Sequence, residues 1–300
     1  MRMLKDKIRF GVGVLQDMPW PRLVELWRFL DTLEFDSVWL SDHFVNYTNP
    51  TANWLESWTA LSALASNTSR IRIGTLVTSI ALRHPAMLAR QAMTVDNISS
   101  GRLNLGIGAG APGNIDPIYR MIGINDWPVG ERVKRFREQI EVLDILLTTG
   151  VSTYCGEYYN LQDAAMFPGP VQKPRPPLTI AAHAKESLKI AAEYADTWNS
   201  YGADFGAPPQ VVMEKTSQRI DFLDRYCEKI GRDPATLGKS LLVFGEEANS
   251  VFASEENFIK TVERYAPIGI TELIFFYPFF APDQVDSFKR IAQEILPQFR

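Results

Sequence analysis

Histidine and cysteine are scarce in this chain of 300 residues: three His (His43, His84, His183) and two Cys (Cys155, Cys227). Ligands this few and this far apart exclude a zinc framework and a disulfide scaffold. No HExxH or GxSxG occurs, which removes zincin-type and nucleophile-elbow hydrolases, and no bound metal is expected. Basic clusters are missing too. Lys and Arg total 31 against 35 Asp and Glu, a net charge of −4 with no basic block, so nucleic acid is not an expected partner. No apolar run approaches the about 20 residues that cross a bilayer, so no membrane partner is expected either. The opening MRMLKDKIRF is charged and no apolar signal core follows, so a soluble cytoplasmic protein is expected.

What the sequence does have is alternation. Short apolar runs at Arg9–Val14, Ser37–Ser41, Arg72–Thr78, Leu103–Gly108, Leu178–Ala182, Thr197–Ser200, Ser240–Phe244 and Glu272–Phe276 read as strands. Amphipathic stretches between them read as helices over Trp20–Leu33, Trp54–Asn67, His84–Ile98, Glu131–Leu147, Lys185–Tyr194, Gln210–Lys229, Glu255–Tyr265 and Gln284–Ile295. Gly101, Gly150, Gly231 and Gly269 serve as helix stops. About eight βα units in one chain predict a parallel sheet closed into a (β/α)8 TIM barrel, with a doubly wound open sheet as the competing architecture. No linker divides residues 1–300, so a single domain is expected. Two segments exceed ordinary connections: Ala111–Trp127 after the fourth strand, and Val151–Leu178 before the fifth, which opens like a hairpin around Gly156. Long loops of this kind often serve as lids or substrate walls.

In such a barrel the carboxyl ends of the strands carry the chemistry. Here they combine small, polar and aromatic residues, which suits a flat, partly polar ligand. His43 directly follows the second strand, and Asp42 beside it is a candidate for fixing its tautomer, so the pair is a candidate acid–base unit. Without that role, His43 caps a strand end and Asp42 ties a loop. His84-Pro85 opens a helix and reads as structural. Gly106-Ile107-Gly108-Ala109-Gly110 superficially resembles a dinucleotide fingerprint, but no helix follows at once, so the glycines more plausibly admit a ring close to the backbone. Ala182-His183-Ala184-Lys185-Glu186-Ser187 leads a strand into a helix, a geometry that offers N–H groups to phosphate. Glu246 and Glu247 are further candidate acids or a plain polar strand end.

Several motifs in order carry a family resemblance: Phe35-Asp36-Ser37-Val38-Trp39-Leu40-Ser41-Asp42-His43-Phe44, Ser69-Arg70-Ile71-Arg72-Ile73-Gly74-Thr75-Leu76-Val77-Thr78, Asp96-Asn97-Ile98-Ser99-Ser100-Gly101-Arg102-Leu103-Asn104-Leu105-Gly106, and Tyr194-Ala195-Asp196-Thr197-Trp198-Asn199. The chain resembles the luciferase-like monooxygenase superfamily, and its Asp-His pair looks like the branch that uses coenzyme F420, an 8-hydroxy-5-deazaflavin. The resemblance implies hydride transfer between that coenzyme and a small organic substrate, with His43 and Asp42 catalytic. It also implies a cis Leu76–Val77 peptide in a third-strand bulge beneath the ring. Asp42, Thr75, Leu76, Val77, Ala109 and Gly110 would lie around the ring, with His183, Ala184 and Ser187 at the coenzyme phosphate. Tyr201, Tyr277, Phe279, Phe280 and the Ala111–Trp127 loop would wall the substrate pocket. A homo-oligomer, most simply a dimer, is implied as well. Two departures stand out: related dehydrogenases carry a catalytic Glu where this chain has Ala111, and a Trp near Tyr47, with Trp54 further on. FMN-dependent monooxygenation, or flavin binding without catalysis, are the alternative activities.

Overall fold

The computed structural model describes residues 7–299 except Tyr47, Phe205 and Phe280. Its elements run β1 (Arg9–Val14), α1 (Trp20–Thr32), β2 (Ser37–Leu40), α2 (Ser57–Ala65), β3 (Arg72–Thr75), β4 (Thr78–Ser79), α3 (Pro85–Ile98), β5 (Leu103–Gly108), α4 (Ile118–Ile122) and α5 (Val129–Thr148). They continue with β6 (Val151–Cys155), β7 (Asn160–Ala165), β8 (Leu178–Ala181), α6 (Lys185–Tyr194), β9 (Thr197–Ser200), α7 (Pro209–Lys229), β10 (Gly238–Leu242), α8 (Glu246–Ser250), α9 (Glu255–Tyr265), β11 (Glu272–Phe276) and α10 (Val285–Arg290). The parallel order β3-β2-β1-β11-β10-β9-β8-β5 closes through a β3–β5 pairing, with β4 continuing β3 along β5. Counting β3 and β4 as one interrupted strand gives the eight-stranded (β/α)8 barrel, and no free edge remains to be guarded.

Strands buried on both faces explain why these runs are almost wholly apolar. Outward residues such as Phe10 and Phe35 pack under the helices, where Phe35 stacks on Phe288 at 5.0 Å. Inside, the Trp39 indole crosses the barrel floor. Added Cβ atoms on Gly11 and Gly74 would stand 2.9 and 2.8 Å from it, so both positions must stay bare. Its Nε1 donates to Ser37 Oγ (2.8 Å), which donates to the buried Glu272 (3.1 Å). Burial pushes the Glu272 carboxyl above the usual carboxylate range, against the pull of Arg9.

Three of the four expected helix stops, Gly101, Gly231 and Gly269, take positive φ of 83°, 77° and 97°, the left-handed region that favours glycine. Gly150 does not. Extended Thr149 ends α5, and Gly150 sits bare under the Phe167 ring, where a Cβ would approach to 3.0 Å. The Val151–Leu178 insertion forms the expected hairpin, β6 antiparallel to β7. Glu138 of α5 accepts N–H bonds from Tyr158 and Tyr159 (2.7–3.0 Å), and Arg90 and Asn97 of α3 hold the descending chain at Phe167 and Gly169. The hairpin therefore clamps the outer flanks of α3 and α5.

Candidate active site

The loop after β2 begins with Asp42 and His43, and the structure separates their roles. Asp42, 2% exposed, is held by the Arg83 guanidinium, which also reaches Glu56 Oε1 at 3.0 Å. Glu56 in turn caps α2 through the Trp58 and Thr59 N–H groups (3.2 and 2.7 Å). Asp42 thus ties the β2–α2 loop to the loop before α3 instead of steering the imidazole, which corrects the role expected for it. The carboxylate at His43 Nδ1 is Asp116 Oδ2, 3.0 Å away, from the excursion after β5. The His43 side chain is 26% exposed, and Trp54 Nε1 donates to its carbonyl (2.9 Å). Burial opposes the charged form of Asp116. Hydrogen bonds from His43 and the Ile118 N–H, with the imidazole's charge, outweigh it and hold the carboxyl below its ordinary range. Tyr47 lies outside the described residues.

Next to β2, the third barrel strand is broken by a bulge. Gly74 pairs with Asn104 and Thr78 with Ile107, so four residue steps on one strand face three on the other. The Leu76–Val77 peptide within it is cis. Local chemistry pins the distortion: Thr75 Oγ1 lies 2.9 Å from Thr78 Oγ1 and donates to Gly106 O (3.0 Å), while Trp58 Nε1 donates to Thr78 Oγ1 (2.9 Å). Leu76 N–H donates to Leu40 O (2.8 Å), tying the bulge to the end of the strand that leads to His43. Only glycines fit opposite. A Cβ at Gly106 would lie 1.8 Å from Thr75 O, and one at Gly108 would lie 2.7 Å from Val77 Cγ2. Thr75 is fully buried, so its side chain secures the bulge from behind and does not face a ligand, a second correction. Leu76, Val77, Ala109 and Gly110 are half-buried at the rim.

Further round, β8 leads into α6. Ala184 occupies the N-cap with no side-chain cap, and Leu188 N–H makes the first bond back, to Ala184 O (2.9 Å). The amides of the first turn precede that bond, so they and the positive helix end suit an anion. Ser187 is buried and its Oγ donates inward to Ala184 O (2.9 Å). His183 Nε2 accepts from Tyr201 N–H (3.2 Å) and lies 3.2 Å from Ser200 Oγ, with the Tyr201 ring edge-on at 4.0 Å. Burial, then the nearby Arg219 charge, push the His183 pKa down to about 3, so this imidazole is neutral near pH 7. Arg219 itself donates to Gly202 O.

The remaining candidates divide. His84 caps α3, accepting from Ala86 N–H (3.2 Å), as expected. Glu247 turns away from the mouth, taking Tyr265 OH at 2.6 Å, Thr261 Oγ1 at 3.0 Å and Arg264, while Glu246 is exposed. Tyr277 and Phe279 pair edge-to-face at 4.9 Å; Phe280 lies outside the described residues. Sequence reasoning missed Asp116, Arg83 and Arg219. Asp116 sat inside a loop flagged as too long, whereas Arg219 carries no signal on its helix. Among the described residues no three His, Cys, Asp or Glu side chains gather as a metal site.

The donor set suits a flat, partly apolar ring with an anionic tail: half-buried backbone at Leu76–Val77 and Ala109–Gly110 for the ring, and the α6 terminus with Arg219 behind it for the anion. Such a site on a (β/α)8 barrel suits an enzyme that holds a flat coenzyme with a phosphate tail. The model of the luciferase-like monooxygenases matches residues 4–268, and the chain belongs to that family. It is 34% identical to an F420-dependent glucose-6-phosphate dehydrogenase of Amycolatopsis mediterranei, covering 93% of this chain and 94% of that one. It is 29% identical to the pyrimidine monooxygenase RutA of Yersinia enterocolitica, over 73% of this chain and 57% of the other. Among solved structures, an F420-dependent secondary alcohol dehydrogenase in complex with an F420-acetone adduct superposes with a TM-score of 0.81 at 20% identity, covering 98% and 99% of the two chains. That likeness establishes the shared fold.

Proposed function

We propose that this chain is an F420-dependent oxidoreductase acting on a small, uncharged organic substrate, as a single domain. The observation that carries the reading is the placement of a partly exposed imidazole, His43, in the loop that continues the strand hydrogen-bonded to the Leu76–Val77 bulge. When bound, the deazaflavin supplies a two-electron hydride carrier. The protein's part is position: the bulge and Ala109–Gly110 present the ring's seat, and the α6 N–H groups with His183 and Arg219 receive the phosphate tail. His43 gives or takes the proton that accompanies hydride transfer at the substrate oxygen or equivalent atom. Tyr201, Tyr277 and Phe279 line an apolar wall that excludes water.

Charge narrows the substrate. The segments after the strands at 15–19, 41–56, 201–208, 243–247 and 277–284 contain no Lys or Arg, yet hold Asp17, Asp42, Glu56, Asp204, Glu246, Glu247 and Asp283. Asp42 and Glu56 pair with Arg83, Asp204 with Lys215 and Glu247 with Arg264, so the negative charge an anionic substrate would meet falls mainly on Asp17, Glu246 and Asp283. This separates the chain from the sugar-phosphate specificity in its relatives' names.

The bulge also accommodates FMN, and a monooxygenase working with reduced FMN and oxygen is the second reading, supported by the match to RutA. Calorimetric titration with coenzyme F420 and FMN side by side tests the assignment. F420 binding at least about tenfold tighter, 1.4 kcal/mol, supports it. Binding of FMN alone overturns it in favour of the second reading, and binding of neither overturns both. The same reading makes the enzyme a cytoplasmic homodimer. Light scattering at the mass of one chain would contradict the dimer.

A further inference from the structure

We infer that Asp116 is a positioning residue that fixes which nitrogen of His43 carries the proton, and that it does so only while the Ala111–Trp127 loop is folded over the mouth. The inference concerns the imidazole itself; its catalytic meaning rests on the proposed function.

The carboxylate of Asp116 is 7% exposed and splits its two oxygens between two tasks. Oδ2 lies 3.0 Å from His43 Nδ1, and Oδ1 accepts the Ile118 N–H at 3.0 Å, capping α4. An ionised carboxylate can only accept, so the proton of this contact belongs to Nδ1. In the neutral ring that leaves Nε2 as the basic atom, and in the charged ring Nε2 holds the transferable proton. An acceptor behind Nδ1 thereby selects one of two tautomers that free imidazole would populate together.

The same side chain belongs to a loop with its own internal ties. Asp116 N–H donates to Pro112 O (3.0 Å), Tyr119 OH to Ala111 O (2.9 Å) and Gly113 N–H to Asp126 Oδ2 (2.9 Å), while Asp126 also engages Arg132 of α5. Unfolding this loop withdraws the acceptor from Nδ1. The other nearby acid, Asp42, is committed to Arg83, so it does not take over.

The test is the Asp116→Asn variant. Its amide oxygen can keep the Ile118 cap while its NH2 faces Nδ1, which inverts the polarity of the contact without removing the loop's anchor. With only three histidines in the chain, the imidazole nitrogens of the coenzyme-free protein can be assigned by 15N NMR using His84→Gln and His183→Asn variants. Neutral His43 should carry its proton on Nδ1 in the wild type and shift to Nε2 in Asp116→Asn. Asp116→Glu, with its acceptor retained on a longer arm, should keep the wild-type pattern. In turnover assays Asp116→Asn should lower kcat by about 10- to 100-fold while KM and coenzyme affinity stay within about threefold. An unchanged tautomer in Asp116→Asn overturns the inference. Its melting temperature, measured alongside, separates that result from loss of the fold, and Asp116→Ala repeats the tautomer measurement if the Asn variant is unfolded. The NMR result stands even if neither coenzyme supports turnover, so failure of the proposed function is distinguishable from failure of this inference.

Discussion

Three histidines meet three fates, and each is set by what faces the ring. His84 caps a helix, His183 accepts a backbone N–H in a buried, cation-flanked niche, and His43 lies partly exposed against a carboxylate. The proposed function predicts that His43→Ala lowers kcat by about 100-fold or more with coenzyme affinity changed less than tenfold, checked by steady-state kinetics and calorimetry. His183 gives a stability prediction. Its folded pKa, about 3, lies below the ordinary histidine value of 6.5, so between those values the unfolded chain binds a proton that the folded chain does not. Stability from this residue is therefore full above pH 6.5 and falls as pH drops toward 3. His183→Asn should flatten the melting-temperature profile across that window. Asp116, a carboxyl with lowered pKa, contributes with the same sign at lower pH, below the unfolded carboxylate range. Local sequence singled out His43 because it ends an apolar strand. Its partner was not legible, because the contact spans 73 residues and depends on how a long loop returns to the barrel.

At the scale of elements, most of the barrel was legible and its irregularities were not. Strands such as Arg9–Val14 and helices such as Lys185–Tyr194 stand at their expected bounds because apolar period and turn residues agree. β10 begins and ends two residues earlier than expected, and the five-residue helices α4 and α8 are too short to show a period. The run Arg72–Thr78 reads as one unbroken strand by composition; only the family resemblance marked its bulge. That bulge depends on glycine across from it. Gly106→Ala, whose new methyl would strike the Thr75 carbonyl, should lower stability by about 3 kcal/mol and abolish tight coenzyme binding. Gly130→Ala, with no atom within 4 Å of its Cβ, should be neutral or stabilising by up to about 1 kcal/mol. Equal denaturation midpoints for the two variants would contradict this account of the bulge. The long insertion shows a different limit: its hairpin was visible, but its seat on α5 depended on contacts such as Glu138 with Tyr158, remote in sequence.

For the whole molecule, the barrel gathers loops poor in cations at one end, with Arg83 committed to Asp42 and Glu56, while a cationic niche sits at α6 and Arg219. The account predicts that neutral alcohols or carbonyl compounds are turned over with kcat/KM at least about 100-fold above their phosphorylated counterparts, a difference of about 2.7 kcal/mol that shrinks as salt screens the mouth. Paired substrates assayed at two ionic strengths would check it, and a preference for the phosphorylated member would overturn the charge argument. That pattern was present in the sequence throughout, since five of the loops lack Lys and Arg whatever their conformation. The fold was needed to show that those loops share one face.

The most direct measurement of the central claim is a crystal structure of this chain with coenzyme F420 bound. The account predicts the ring in contact with Leu76–Val77, the His43 imidazole at its edge, and the phosphate on the N–H groups that open α6. A ring bound elsewhere, or a phosphate away from His183 and Ala184, would contradict it.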